Sequence, residues 1–160
     1  MHSMNASLQH YTGSMKKLLP CLLLLLLWGP PLAAQEWQTD FAKARELATK
    51  GHKPIILVFQ GSDWCAPCIK LDREVWSTDT FKKYAAAHFV MLKADFPRKK
   101  KNALPPDQAK ANARLAESYN QNGIFPLVVV LDADGNVKGK TSYKKMTPQE
   151  YISLLESFKS

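Results

Sequence analysis

Short apolar runs alternate with amphipathic segments along most of the chain. Three runs are rich in β-branched and aromatic side chains, and they cover Ile55–Phe59, Phe89–Ala94 and Leu127–Leu131. Because polar residues hardly interrupt these runs, we expect strands that are buried on both faces of a sheet. A further segment begins at Val137, directly after the turn at 132–136, and this spacing predicts an edge strand paired in a hairpin.

Apolar residues recur at helical spacing between the predicted strands. Asp40 is a helix N-cap candidate, Gly51 is a stop signal, and Thr147 to Glu150 reads as a capping box with proline in its first turn. The predicted helices cover Asp40–Lys50, a segment beginning near Pro67, Asp79–His88, a segment from its cap Asp107 to Tyr119, and a last segment after Thr147. This order predicts an α/β sandwich, in which a central mixed sheet has helices on both faces. The first two long strands should be parallel, and the last pair antiparallel.

The first 34 residues have the order of a secretory signal peptide. Two lysines at 16–17 form the charged region, Leu18–Trp28 is a short apolar core, and Ala33-Ala34 provides small residues for cleavage. The core is shorter than the roughly 18 apolar residues of a spanning helix. We therefore expect residues 1–34 to be removed on export to the periplasm or medium. Met15 directly precedes the lysines, which makes it an alternative translation start.

Removal of this leader leaves one domain, residues 35–160, which is long enough to bury a hydrophobic core. Cys21 is lost with the leader, and the formal net charge falls from +8 to about +6. The two remaining cysteines are too few for a disulfide scaffold or a four-sulfur zinc site. The hydrophobic content of 46% is typical of a globular protein and not of a disordered chain.

The chemistry is concentrated in the segment Trp64-Cys65-Ala66-Pro67-Cys68, between a predicted buried strand and a helix. Cysteines at this spacing can close a disulfide within one helical turn. Cys65 faces the free N–H groups of the helix, which stabilise a thiolate and lower its pKa. We therefore predict that Cys65 is the nucleophile. Cys68, one turn deeper and less exposed, is the predicted resolving thiol.

Other uses of this cysteine pair are a structural disulfide, half of a zinc site, and binding without redox chemistry. The pair is half of a zinc site in some proteins, but His52 and His88 are not at ligand spacing. The main alternative function is a redox-inert binding module, or a copper chaperone that holds copper(I) through Cys65 and Cys68. For the favoured redox function, we expect neither a metal nor another cofactor.

Residues 40–158 resemble the thioredoxin family. The resemblance rests on the strand Ile55–Phe59, the Trp-Cys-Ala-Pro-Cys motif, Phe125-Pro126 before a strand, and the hairpin followed by a helix. With Lys70, Asp72 and Trp76 after the motif, the sequence is similar to exported bacterial thioredoxin-like proteins often labelled disulfide isomerases.

The resemblance implies a thioredoxin-like fold and reversible thiol–disulfide exchange with proteins. It further implies that Pro126 is a cis proline facing the cysteines and that substrates pair there as a short strand. Phe125 and Trp64 would add contact surface. The alternative for Pro126 is an ordinary trans proline at a strand start. The dipeptide Ala66-Pro67 supplies no imidazolium, which favours a reductase or isomerase over an oxidase.

The sequence departs from the family in one part of the predicted core. Thioredoxins carry a buried aspartate where this chain has Phe59, and an apolar residue near Met91 replaces the lysine beside that acid. The usual proton acceptor for the resolving thiol is therefore missing. Asp63 is a weak substitute, and we interpret it as a solvated loop acid.

Residues 96–107 combine three prolines with the basic run Arg98–Lys101, which predicts an exposed loop. The loop is either solvated or docks to an acidic partner or an anionic membrane. The expected partners are protein thiols and disulfides. Without a second cysteine pair, the domain also needs an external redox partner. We expect a monomer with no nucleic acid and no stable membrane insertion after cleavage.

Overall fold

The computed structural model describes residues 35–159, so the predicted leader and Cys21 lie outside the described part. No helix among residues 35–159 has the length and apolar content needed to cross a membrane.

A five-stranded sheet carries helices on both faces, as the sequence predicts. The elements, in chain order, are β1 Trp37–Gln38, α1 Phe41–Gly51, β2 Ile55–Gln60, α2 Ala66–Leu71, a π-helical turn Asp72–Trp76, α3 Asp79–His88, β3 Val90–Asp95, a 3-10 turn Lys100–Asn102, α4 Pro106–Tyr119, β4 Leu127–Leu131, β5 Val137–Thr141 and α5 Pro148–Glu156.

Strand β2 lies at the centre of the sheet, whose order is β1-β3-β2-β4-β5. It pairs in parallel with β3, where Leu57 faces Leu92, and antiparallel with β4, where Leu57 faces Val129. Strands β4 and β5 form the predicted antiparallel hairpin. Strand β1 was not predicted, because two residues that pair only at an edge carry no pattern of their own.

The sheet separates two apolar clusters, because successive side chains of a strand point to opposite faces. Ile56 and Val58 of β2 face a cluster covered by α3 and α5, whereas Ile55, Leu57 and Phe59 face a cluster covered by α1 and α4. All five side chains are at most 1% exposed. The apolar run at Ile55–Phe59 is thus a strand buried on both faces, as expected.

Helix ends follow the sequence signals in two cases and differ in two others. The Asp40 side chain caps α1 by accepting from Lys43 N–H, and the capping box of α5 is present. Gly51 is not the stop; α1 includes it, and His52 caps the helix in the left-handed conformation with φ 51°. Asp107 is not an N-cap. Helix α4 begins one residue earlier, so Asp107 lies in the first turn, where the helix dipole favours its charge.

Trp76 lies at the centre of the cluster under α3 and α5. Its side chain is 2% exposed and makes edge-on contacts with Trp37, Phe81 and Tyr151, with ring centroids 4.7–6.2 Å away. Trp76 is therefore a packing residue of this cluster.

We predict that Trp76→Ala lowers the free energy of unfolding by about 3–5 kcal/mol, because the cavity cannot be filled by three rigid aromatic neighbours. Guanidinium unfolding monitored by circular dichroism measures the change. The control is Ile69→Ala, whose side chain is 48% exposed; it should change stability by less than about 0.5 kcal/mol. Similar losses in the two variants would contradict the central role of Trp76.

Candidate active site

Three chain segments meet at one edge of the sheet. The segment after β2 carries the cysteines, the segment after β3 is the basic loop 96–102, and Phe125-Pro126 precedes β4. Because β3 is parallel and β4 antiparallel to β2, the end of β2, the end of β3 and the start of β4 lie side by side. This edge therefore brings the residues of the sequence motif together with Phe125 and Pro126.

Cys65 and Cys68 form a disulfide with an S–S distance of 2.03 Å, as the spacing predicts. Helix α2 begins directly after Cys65, which is its N-cap, and Pro67 lies in the first turn. The backbone N–H of Cys68 donates to Cys65 Sγ at 3.3 Å. A donor at a helix N-terminus stabilises negative charge on sulfur, so the geometry favours a thiolate at Cys65.

Exposure does not distinguish the two cysteines. We expected Cys68 to be less exposed, but in the disulfide form Cys65 is 3% and Cys68 5% exposed. The reason is that neighbouring residues cover the N-terminus of α2 as fully as its first turn. The difference between the two sulfurs is therefore their position in the helix and not their access to solvent.

Trp64 connects the cysteine segment to the other two segments. Its ring meets the Phe125 ring edge-on at 5.4 Å, and its Nε1–H donates to the carbonyl of Phe96 at 2.7 Å. The peptide bond between Phe125 and Pro126 is cis, as the family resemblance implies. Trp64, Phe125 and Pro126 thus form one surface beside the cysteines.

Two residues that support this surface were missed from the sequence. Gly61 lies under the indole of Trp64, and a Cβ at this position would collide with the ring. The Ser142 hydroxyl donates to the carbonyl of Pro126 at 2.6 Å. The position of Gly61 shortly before the motif could have indicated a close packing contact there. Nothing in the sequence near Ser142 indicates that it bonds to Pro126.

Asp63 is not the solvated loop acid that we expected. Its carboxylate accepts hydrogen bonds from the backbone N–H groups of Arg98 and Lys99 and from Asn102 Nδ2, each at 2.9 Å. These donors, the N–H of Arg98 foremost, lower the pKa of Asp63. With its oxygens occupied, Asp63 anchors the basic loop to the cysteine segment and is a poor proton acceptor.

The anchored loop places Arg98 on the active-site tryptophan. The guanidinium carbon of Arg98 lies 3.7 Å from the centroid of the Trp64 ring, which is cation–π distance. Arg98 and the lysines at 99–101 are all exposed. A cationic group therefore lies next to the Trp64 surface.

The core beneath the site is apolar. Phe59 is fully buried and stacks on Phe96, with ring centroids 6.5 Å apart. We expected Met91 to be the neighbour of Phe59, and this expectation is wrong. Met91 lies in the apolar cluster on the other face of the sheet, and the residue of β3 that pairs with Phe59 is Ala94. None of the aspartates and glutamates in residues 35–159 is buried.

Comparison with known proteins places this architecture in a family. The sequence profile of thioredoxin-like proteins matches residues 36–133. The disulfide bond reductase DsbH of Chlamydia pneumoniae is 36% identical over 128 residues, which are 79% of this chain and 75% of that protein. A solved structure of a DsbH oxidoreductase has a TM-score of 0.72 at 34% identity, covering 83% of this chain and 91% of that one. A disulphide isomerase from Xylella fastidiosa Temecula1 has a TM-score of 0.54 at 25% identity, covering 74% and 87%.

We predict that Asp63→Asn loosens the basic loop. Asparagine keeps one acceptor oxygen but presents an NH₂ group where the second stood, so an amide of Arg98 or Lys99 loses its acceptor. Hydrogen exchange at that amide should accelerate by about tenfold or more. The amide of Ser62, which is bound by Asp95 instead, is the internal control and should not change.

The same loosening should follow acidification of the wild type. Because folding lowers the pKa of Asp63, its stabilising effect is complete above the ordinary aspartate range and is lost as pH falls through the lowered value. Unchanged protection of both Arg98 and Lys99 amides in Asp63→Asn would show that the carboxylate does not anchor the loop.

Proposed function

The chain belongs to the thioredoxin-like family, and we propose that it is an exported thiol–disulfide oxidoreductase that acts on disulfides of other proteins. The observation that carries this proposal is the Cys65–Cys68 disulfide, with Cys65 as the N-cap of α2. We favour a reductase over an isomerase because the 36%-identical relative is a disulfide bond reductase. The leader-like order of residues 1–34 supports export.

The reaction begins from the reduced protein. The Cys65 thiolate attacks one sulfur of a substrate disulfide; a bond forms between Cys65 and that sulfur, and the second substrate sulfur leaves as a thiolate. Cys68 then loses its proton and attacks Cys65 Sγ, which releases the first substrate sulfur. The substrate gains two electrons, its two thiolates take up protons from water, and the protein is left with the Cys65–Cys68 disulfide.

The surface of Trp64, Phe125 and Pro126 would hold the substrate during this exchange. A substrate chain in extended form pairs with backbone beside the cis proline, while the two rings contact its side chains. The brace from Ser142 to the carbonyl of Pro126 keeps this backbone in place.

The proton of Cys68 goes to water in this proposal. The family position for a buried acid is occupied by Phe59, and both oxygens of the Asp63 carboxylate already accept hydrogen bonds from residues 98–102. General-base assistance from a positioned side chain contributes about 10²–10⁴-fold in enzymes. We therefore expect the resolving step to be slow relative to that of a thioredoxin with the buried acid.

Return to the reduced state requires an external dithiol partner. After the leader with Cys21 is removed, the domain has no cysteine other than Cys65 and Cys68. The electrons must therefore come from another molecule by a second exchange at the same disulfide.

We predict that the mature protein begins between Ala34 and Glu36. Cleavage after the small pair Ala33-Ala34 follows from the charged, apolar and small order of the leader. Mass spectrometry of the protein recovered from the periplasm or medium identifies the first residue. Recovery of the intact chain from Met1 or Met15 would contradict export by this route.

We predict that Cys68→Ala accumulates mixed disulfides with its substrates. Without Cys68, no internal thiol can break the bond between Cys65 and the substrate. Non-reducing gels should show covalent complexes that disappear on addition of dithiothreitol. Mass spectrometry of the trapped proteins then identifies the substrates, and their redox states in a strain lacking this protein separate reductase, isomerase and oxidase.

Cys65→Ala is the matched control, because it keeps one cysteine in the same helix but removes the nucleophile. It should form few complexes or none. Equal trapping by the two variants would contradict the assignment of roles. If neither variant traps a protein and the wild type reduces no disulfide, the exchange function fails and a redox-inert binding module becomes the better account.

A further inference from the structure

We propose that Arg98, held on the face of Trp64, forms a cationic subsite that selects disulfides flanked by acidic residues. The inference rests on the proposed thiol–disulfide exchange and adds to it a class of substrate. Its structural basis is the 3.7 Å contact between the guanidinium of Arg98 and the Trp64 ring. The consequence is that proteins with an acidic residue beside the attacked cysteine should be preferred substrates.

Arg98 lies where a substrate must pass. Trp64 directly precedes Cys65 in the chain, and its ring also touches Phe125 on the far side of the site. A peptide that is bonded to Cys65 and aligned along Phe125 therefore lies beside the Trp64 ring. Residues next to the substrate cysteine are then within reach of the cation on that ring.

The guanidinium of Arg98 is available to a ligand. In the described part of the chain, its side-chain N–H groups donate to no acceptor and it forms no salt bridge. An arginine fork in this state can bind a carboxylate through two parallel hydrogen bonds. A glutamate or aspartate beside the substrate cysteine supplies that group.

The carboxylates nearest to Arg98 in the fold do not compete for its side chain. Asp63 is engaged by the backbone amides of Arg98 and Lys99 and by Asn102, whereas both oxygens of Asp95 accept from Ser62. The acids of the site therefore stabilise loops, while the cation remains directed at solvent over Trp64.

Anchors on both sides fix the position of Arg98. The carbonyl of Phe96 accepts from Trp64 Nε1, two residues before Arg98, and Asp63 holds the amide of Arg98 itself. The exposed run Lys99–Lys101 follows and adds positive potential around this fixed group. We choose a peptide over a membrane as the ligand because the guanidinium of Arg98 lies on the ring of Trp64, directly beside Cys65. A membrane-binding cation would instead be expected on a basic face away from the cysteines.

Single-turnover kinetics on three matched peptides test the proposal. Each peptide contains one intramolecular disulfide, and they differ only in the residue beside the first cysteine, which is Glu, Gln or Lys. Pre-reduced protein, freed of reductant, is mixed with each peptide, and mass spectrometry follows the loss of the peptide disulfide. The measured quantity is the ratio of the Glu rate to the Lys rate, so a change common to all peptides cancels.

We expect the wild type to favour the Glu peptide by about tenfold at low salt, and the ratio to approach one near 1 M NaCl because exposed charges are screened. Arg98→Gln should lower the ratio at least threefold, and Arg98→Glu should invert it. Lys138→Gln is the matched control, because it also removes one exposed positive charge. Lys138 lies in β5 near the C-terminal end of β4, whereas Pro126 precedes the N-terminal end of β4, so Lys138 is away from the site. It should leave the ratio unchanged.

Four results would overturn the proposal. If the wild type reduces all peptides with a ratio near one, the exchange function stands and the cationic subsite is contradicted. If the wild type reduces no peptide, the exchange function itself is contradicted. An equal slowing of all peptides in Arg98→Gln, with a shifted pH profile, shows that Arg98 acts on the Cys65 thiolate instead. Absence of peptide preference together with Arg98-dependent sedimentation on phosphatidylserine vesicles assigns the loop to a membrane surface.

Discussion

The position of β2 between a parallel and an antiparallel neighbour is the constraint on which the site depends. Because β2 and β3 run in the same direction and β4 runs in the opposite one, the segment after β2, the loop after β3 and the segment before β4 emerge at the same edge. The cysteines, the basic loop and the cis proline occupy these three positions. The buried residues Ile55–Phe59 hold β2 in place from both faces of the sheet.

Trp64 converts this proximity into a defined surface. Its indole packs over Gly61, donates to Phe96, touches Phe125 and carries Arg98, so one side chain contacts all three segments. Loop backbones need such partners, because polar groups taken from water without a hydrogen bond are costly. The result is a reaction surface made of loops that are fixed by each other and by the sheet.

In the proposed exchange reaction, the apolar layer beneath the cysteines would set the chemistry apart from that of a thioredoxin with a buried acid. Phe59 and Phe96 stack where a carboxylate would relay the proton of the resolving thiol. Asp63, the acid closest to the motif in sequence, is used to anchor residues 98–102. A carboxylate that accepts hydrogen bonds from a loop is a poor acceptor for a thiol proton. The hydrogen bonds of Asp63 therefore indicate a structural role.

The sequence by itself determined the features with the strongest local patterns: the apolar strands such as Ile55–Phe59, the capping box at Thr147, and the cysteine pair at the start of a helix. Weaker local signals, at Gly51 and Asp107, misplaced two helix ends. Only the tertiary structure decided which distant groups meet. Asp63 is 35 to 39 residues from its donors, the indole of Trp64 meets Arg98 at a similar separation in the chain, and Met91 points away from Phe59. Hydrophobic periodicity and capping act within a few residues, whereas these contacts follow from the register of β2 against β3, which no local signal encodes.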